Sequence, residues 1–431
     1  MYAYVSVLDA KISKKNEMRE LQVRFISYFC IMKRFNDILR FALPLIFLLL
    51  TDNGRAQSQI PFSTSTDSVS VSLLTCGPGN EVYNLFGHTA IRYQDRNRGE
   101  DLVINYGMFS FKKSFFVLRF VFGLTDYEMS IESFDDFFAQ YSNEGRSIIQ
   151  QELDLTAKEK LQIARAIDEN YLPENRVYRY NYFYDNCTTR ARDILIRHID
   201  GNVSSANRQT TAPSYREMVH QCDKDFPWAM FGNDILLGVK ADCKTTTEQQ
   251  EFLPDNLRRD FDHAYITAPD GSTRKLVTRT EILLRQQTLP RKSGFPLRPI
   301  ECSLILFSLT VICLAIERFL HCNLWLFDAS LMVSCGLAGL ILTAMVFSQH
   351  PTVSLNLQIL VLNPLPLIFI WPAVKALRTK QQYWLFPTMT ILTLLFFIGN
   401  IIQDYAEGMN IVALSLLIRY TSALRLTTQK K

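Results

Sequence analysis

The sequence predicts an α+β domain followed by an all-α bundle that spans a membrane, and three observations carry this. Charged residues crowd into the part before Pro299, although the chain of 431 residues, 48% hydrophobic and 20% charged, averages out as ordinary. Before Pro299, short alternating stretches bounded by turn residues are interleaved with capped helical patterns. After it, apolar runs approach the roughly 20 residues that a bilayer demands.

The elements follow in order. From Met32 the run "MKRFNDILRFALPLIFLLLTDNGRAQS" has a basic start, an apolar core from Phe41 to Leu50 and small residues at Gly54 and Ala56. It reads as an export signal over residues 32–56, with 1–31 as an extension from an upstream start site. A retained anchor is the other reading, and either one puts the domain over 57–298 outside the cytoplasm. After a Ser/Thr-rich tether from Ser58 to Ser70, "VSVSLLTC" is a strand and Gly77-Pro78-Gly79 a turn. A second strand begins near His88, and "DLVINYGMFSF" is a third. Beyond the aromatic-rich "FKKSFFVLRFVFGLTDYEM", the strand in "RSIIQQEL" leads to a helix capped by Thr156 with Glu159 three residues on, which ends before Pro173. A short strand then carries the chain to Cys187. Residues 299–431 give candidate spans at Cys302–Leu320, Leu324–Phe347, Leu357–Val374, Trp384–Ile402 and Met409–Leu424. With the first domain outside, the basic "VKALRTKQQ" and "RLTTQKK" fall inside and the acidic "QDYAEGMN" outside, as five spans require. The basic "LPRKSGFPLRP" is placed outside against that rule, as a linker on lipid headgroups.

Composition also excludes. A formal charge of +4, scattered along the chain, argues against nucleic acid as a partner. Without a Gly-rich phosphate loop, a zinc-type cysteine pairing or an HExxH, the chain gives no reason to expect a cofactor or a metal.

The stretch "NYFYDNCTTRARDILIRHI" carries the chemistry. Asp185 and Asn186 offer capping side chains, so Cys187 would open a helix, where free N–H groups and the positive dipole end favour thiolate. A small buried hydrophobe is the competing reading. His88, at a strand start, is the base a thiol nucleophile needs, or else a structural hydrogen-bonder. Asn105 in "VINYG" is the natural group to hold the ring. Its rival Tyr106 alternates to the opposite face and would instead border the substrate. Backbone N–H groups of Cys187 and the next residue would hold an oxyanion. Arg190 would meet a phosphate headgroup or simply solvent. In the polar loop "SQHPTVSLNLQ" and just beyond it, His350, Asn356 and Asn363 are further candidates for substrate contact, against a role in capping. Cys222 and Cys243 are spaced to allow a local disulfide, whereas Cys76 has a structural place at a strand end.

The order of histidine, polar strand residue and cysteine at "NC" resembles the circularly permuted NlpC/P60 superfamily, with a papain-like cysteine domain. The phrases "LLTCGPGNEVYNLFGHTAIRY", "VINYGMF", "YRYNYFYDNCTTRARDIL", "FGNDILLGVKADCKTTTEQQEFLPDNL" and "HPTVSLNLQILVLNPLPL" resemble the Lnb-type lipoprotein N-acyltransferase family of Bacteroidetes. That resemblance extends from about Val69 to about Leu424. It implies transfer of a fatty acyl chain from a membrane phospholipid to the N-terminal diacylglyceryl-cysteine of lipoproteins, with Cys187 as nucleophile and His88 as base. The bilayer would be the inner membrane, with the catalytic domain in the periplasm. A peptidoglycan-cleaving cysteine peptidase and a non-catalytic envelope protein are the competing functions.

Overall fold

The computed structural model describes residues 68–109, 115–205, 212–287 and 294–428. The stretches 1–31 and 32–56, where the extension and the export signal fall, lie outside the described residues.

Strands β1 (Val69–Cys76), β2 (His88–Asp95), β3 (Glu100–Met108), β4 (Asp126–Ser133), β5 (Ile148–Leu153) and β6 (Val177–Arg179) alternate with helices. Strands β7 (Asn202–Ser205), β8 (Ala264–Thr267) and β9 (Thr273–Lys275) form a small separate sheet, and β10 (Val277–Leu284) returns to the main one. The main sheet has the order β10-β5-β1-β2-β3-β4-β6 and is antiparallel throughout. Central β1 is buried on both faces, and its alternating start, Val69-Ser70-Val71-Ser72, runs into the apolar pair Leu73-Leu74. Strand β4 went unread in the sequence although Tyr127, Met129 and Ile131 alternate with polar residues, because they close an aromatic-rich stretch that masks the period.

Helices α1 (Phe116–Val121), α2 (Phe134–Asn143), α3 (Ala157–Tyr171) and α4 (Cys187–Arg197) follow in chain order. Two layers cover the sheet. Phe137 and Tyr141 of α2 pack on Leu74, Cys76, Ala90 and Val103 on one face. Ile163 and Ile167 of α3, with Ala191 and Leu195 of α4, pack on Leu73, Ile91, Ile104 and Tyr106 on the other. The cap of α3 forms as read from the sequence: Thr156 accepts from the Glu159 N–H and Glu159 accepts from the Thr156 N–H.

After α5 (Tyr215–Asp223), α6 (Pro227–Leu236) and α7 (Pro254–Asp262) come the bundle helices: α8 (Pro299–Leu320), α9 (Trp325–Val346), α10 (Ile370–Thr379), α11 (Leu385–Gly399) and α12 (Met409–Thr428). Among the described residues, α8 and α9 are long and apolar enough to cross a membrane. The stretch read as a span from Leu357 to Val374 is not one straight helix. A turn at Leu357–Leu360 and a short helix at Leu365–Ile368 meet α10 at an 80° bend. Pro372 accounts for the break, since it has no N–H to offer the carbonyl of Ile368 four residues back. The stretch read as Trp384–Ile402 is helical over 15 residues only.

Helix α12 continues through Arg419 because its charge is met. The guanidinium, 3% exposed, donates to Glu317 on α8 at 2.8 and 2.9 Å and to Asp328 on α9 at 2.7 and 2.9 Å. A second polar seam joins bundle and sheet domain. Backbone N–H groups of Gly238 and Val239 donate to the carbonyls of Thr352 and Leu355, both at 2.8 Å, and a Cβ on Gly238 would collide with that Leu355 carbonyl. Gln358 Nε2 donates to the Asp234 carbonyl at 2.7 Å, and Gln403 Nε2 to the Leu237 carbonyl at 3.0 Å. Phe231 and Ile235 of α6 pack on the bundle core.

Candidate active site

Asn186 caps α4. Its Oδ1 accepts from the N–H groups of Thr188 and Thr189, each at 2.9 Å, while its Nδ2 donates to the carbonyls of Tyr182 and Phe252 at 3.0 and 2.9 Å. Cys187 is therefore the first helical residue, and its own N–H has no carbonyl within the helix to meet. The sequence reading named the N–H of the following residue as a second oxyanion donor. The structure corrects this, because the Thr188 N–H is spent on the cap.

His88 stands at the first position of β2, paired across β1 with Cys76. Its Nε2 and Asn105 Oδ1 are 2.9 Å apart, and Asn105 Nδ2 donates to Glu132 Oε1 at 2.7 Å. A carboxylate accepts only, so the amide must turn its nitrogen to Glu132 and its oxygen to the ring. Nε2 then carries the proton, which leaves Nδ1 for the sulfur. Asn105 thus lies on the ring of His88. Glu132 was missed by sequence reasoning: the alternation of Tyr127, Met129 and Ile131 could have marked β4 as a strand, but only its pairing with β3 brings Glu132 to Asn105.

The Cys187 sulfur is 3.8 Å from the Thr188 hydroxyl and lies close enough to His88 and the Thr89 N–H for both to act on its charge. Thr188 is itself tied to β2 by a 3.1 Å bond from the Thr89 hydroxyl. Burial pushes the thiol up, but the charge of His88 and these neighbours outweigh it and bring Cys187 down to about 7. For His88 burial works downward, and the Cys187 thiolate with Asn105 more than offsets it, so the imidazole is raised. Each group thus stabilises the charged form of the other. Cys76, 1% exposed beside Tyr141, is lifted by burial to about 12 and stays a thiol.

The register of β3 with β4 shifts between Asn105 and Met108, and Gly107 there has φ of 85°. A Cβ on Gly107 would lie 3.5 Å from Cys187 Cβ and 3.9 Å from Tyr178 Oη. The other substrate candidates are placed as follows. Tyr106 is 1% exposed in the core under α4. Arg190 grips Asp185 through two bonds of 2.6 and 2.8 Å, with its guanidinium 3.5 Å from the centre of the Tyr178 ring, so it does not stand free for a headgroup. His350 is half-buried against Phe120, beside the turn at Gly123. Asn356 and Asn363 face inward: each caps the following turn, and their amides serve the carbonyls of Ile235 and Leu360. Cys222 and Cys243 are both free thiols. Among the described residues no cluster of three or more metal-ligating side chains occurs.

Two family models match the chain: the Lnb N-terminal periplasmic domain over residues 57–221 and the Lnb transmembrane domain over residues 290–431. The first contains His88, Asn105, Glu132, Tyr178 and Cys187; the second contains His350, Asn356, Asn363 and the Arg419 cluster. No curated protein and no solved structure matches. With a periplasmic domain of this kind ahead of its own transmembrane domain, the chain belongs to the Lnb family of membrane proteins.

Proposed function

We propose that the protein is a lipoprotein N-acyltransferase of the inner membrane. It moves a fatty acyl chain from a membrane phospholipid, through a thioester on Cys187, to the α-amine of the N-terminal diacylglyceryl-cysteine of lipoproteins. What carries this reading is the placement of Cys187 at the start of α4 with the His88–Asn105–Glu132 chain, in a domain bonded directly to an apolar bundle.

The thiolate attacks an ester carbonyl of the phospholipid. As the carbon–sulfur bond forms, the carbonyl electrons move to oxygen; they return as the carbon–oxygen bond breaks, and the leaving alkoxide takes the His88 proton. The lipoprotein amine then attacks the thioester. Carbon–nitrogen replaces carbon–sulfur, and His88 receives the amine's proton. Sulfur suits this relay because thioesters have weaker resonance than oxygen esters, so amines open them readily. Asn105 and Glu132 keep the ring turned to the sulfur through both halves.

Peptidoglycan cleavage would use the same thiol and imidazole. The bundle favours lipid substrates, since a wall hydrolase needs no more than an anchor. The test is Cys187→Ala in cells lacking every other such enzyme, read by the mass of lipoprotein N-terminal peptides. The amide-linked acyl chain should disappear while the muropeptide profile stays unchanged. Full N-acylation in that strain would end the acyltransferase reading.

A further inference from the structure

Acyl transfer through Cys187 builds charge on the tetrahedral oxygen, and α4 offers it one free N–H, that of Cys187. The N–H groups of Thr188 and Thr189 are held by Asn186, and the Asn105 amide by Glu132. Cys187 N–H remains. Against the same glycine that faces Cys187 Cβ lies the hydroxyl of Tyr178, a side chain 7% exposed whose Oη has no hydrogen-bond partner among the described residues. Leaving a buried hydroxyl unpaired costs about 1–3 kcal/mol, so a fold that keeps one beside its nucleophile has a use for it. The residue is also held rigidly: Arg190, anchored on Asp185, stacks on the ring face, and Tyr106 meets it edge-on with centroids 6.4 Å apart. A cation over the ring draws electron density from the phenol and strengthens its O–H as a donor.

We propose that Tyr178 is a catalytic residue whose hydroxyl, together with the Cys187 N–H, donates to the oxyanion formed when an acyl group adds to the Cys187 sulfur. Gly107, lacking a Cβ, leaves room for the reacting carbon between Cys187, Tyr178 and the ring of Tyr180, whose Cε2 would lie 3.7 Å from a Cβ there. Burial pushes the phenol well above its ordinary range, so Tyr178 remains a neutral donor at the pH of the reaction. The proposal rests on the acyl-transfer reading, and it replaces the donor that the cap of α4 removes.

The test compares the purified full-length protein in detergent with Tyr178→Phe and Cys187→Ala, using p-nitrophenyl octanoate as acyl donor and nitrophenolate release as readout. Tyr178→Phe should slow the first-turnover burst of nitrophenolate, one per Cys187, by about 100-fold at saturating ester, as loss of one oxyanion donor does elsewhere. Its unfolding temperature should hold or rise, because the oxygen removed had no partner. A rate within twofold of wild type would overturn the proposal, as would a fall in unfolding temperature that accompanies the loss of rate. A wild-type protein that never acquires the octanoyl group on Cys187 overturns it together with the acyl-transfer reading. Phospholipid vesicles as the alternative donor separate the two. Acylation by the nitrophenyl ester and none by the vesicles defeats the lipid reading while leaving the Tyr178 comparison intact.

Discussion

At the scale of single residues, Cys187 is a contest between burial and charge, and His88 decides it. Because the thiol is brought down to about 7, its reactivity rises as pH increases through that value and is lost below it. Acylation declines again only above the raised value of His88. Alkylation of the Cys187 peptide by iodoacetamide, followed by mass spectrometry from pH 5.5 to 9.5, should therefore have its midpoint near 7. In His88→Ala the desolvation remains and its compensation goes, so the midpoint should move well upward; an unmoved midpoint would return His88 to a structural role. Acyl transfer in the same variant should fall by about 100-fold or more. Asn105→Ala and Glu132→Leu should each lose less than His88→Ala, because they orient the ring without touching the reacting atoms. Both should depress kcat more than they raise KM.

At the scale of elements, the start of α4 joins stability to chemistry. The Asn186 side chain makes four hydrogen bonds, two to the first turn of its own helix and two to the carbonyls of Tyr182 and Phe252. Asn186→Ala should destabilise the domain by at least the ordinary loss of a cap, about 1 kcal/mol, seen as a lower unfolding temperature. The gain of free Thr188 and Thr189 N–H groups would not restore activity, since a frayed first turn misplaces the sulfur. In the bundle, α12 is held by one cation between two carboxylates. Arg419→Met leaves Glu317 and Asp328 facing each other in an apolar surround, a loss of about 3–5 kcal/mol by comparison with other broken buried pairs. Thermal unfolding in detergent should register it as a markedly lower transition; a stable variant would mean that water reaches the cluster.

At the scale of the whole molecule, the seam decides whether the sheet domain and the bundle act together. Gln358 donates to the Asp234 carbonyl, and Asp234 also holds Arg216 at 2.7 Å, so one amide links the bundle to a buried ion pair of the sheet domain. Asn356 joins Gln403 to Ile235 in the same network. Gln358→Leu removes the amide from the Asp234 carbonyl and strands the buried Ala406 N–H that donates to Gln358 Oε1, at about 1–3 kcal/mol. Calorimetry of the full chain should show the sheet domain and the bundle unfolding in separate transitions, with lipid-dependent acyl transfer falling further than reaction with a soluble ester. A single unshifted transition would make the seam incidental. Keeping water from a thioester requires such fixed docking, because a domain swinging on a tether would open the site to hydrolysis.

Much of this was set locally, and the sequence by itself determined it. Alternation fixed β1, β2 and β3; the Thr156–Glu159 box fixed the start of α3; Asn186 fixed Cys187 as the first residue of α4. Strand alternation likewise separated Asn105 from Tyr106, so the ring partner of His88 was legible without coordinates. Tertiary structure decided what depends on residues far apart in the chain. Thr89 and Thr188, separated by 99 positions, meet beneath the sulfur. Glu132 reaches Asn105 only because β4 pairs with β3, and Arg419 finds its carboxylates only when three helices close around it. Asn356 and Asn363 looked available because polarity in a loop is visible locally, but the carbonyls that occupy them come from elsewhere in the fold. Periodicity and capping act within a turn or two of the chain; a hydrogen bond, a charge pair or a bend in a helix pair answers to whatever the packed neighbours leave unsatisfied.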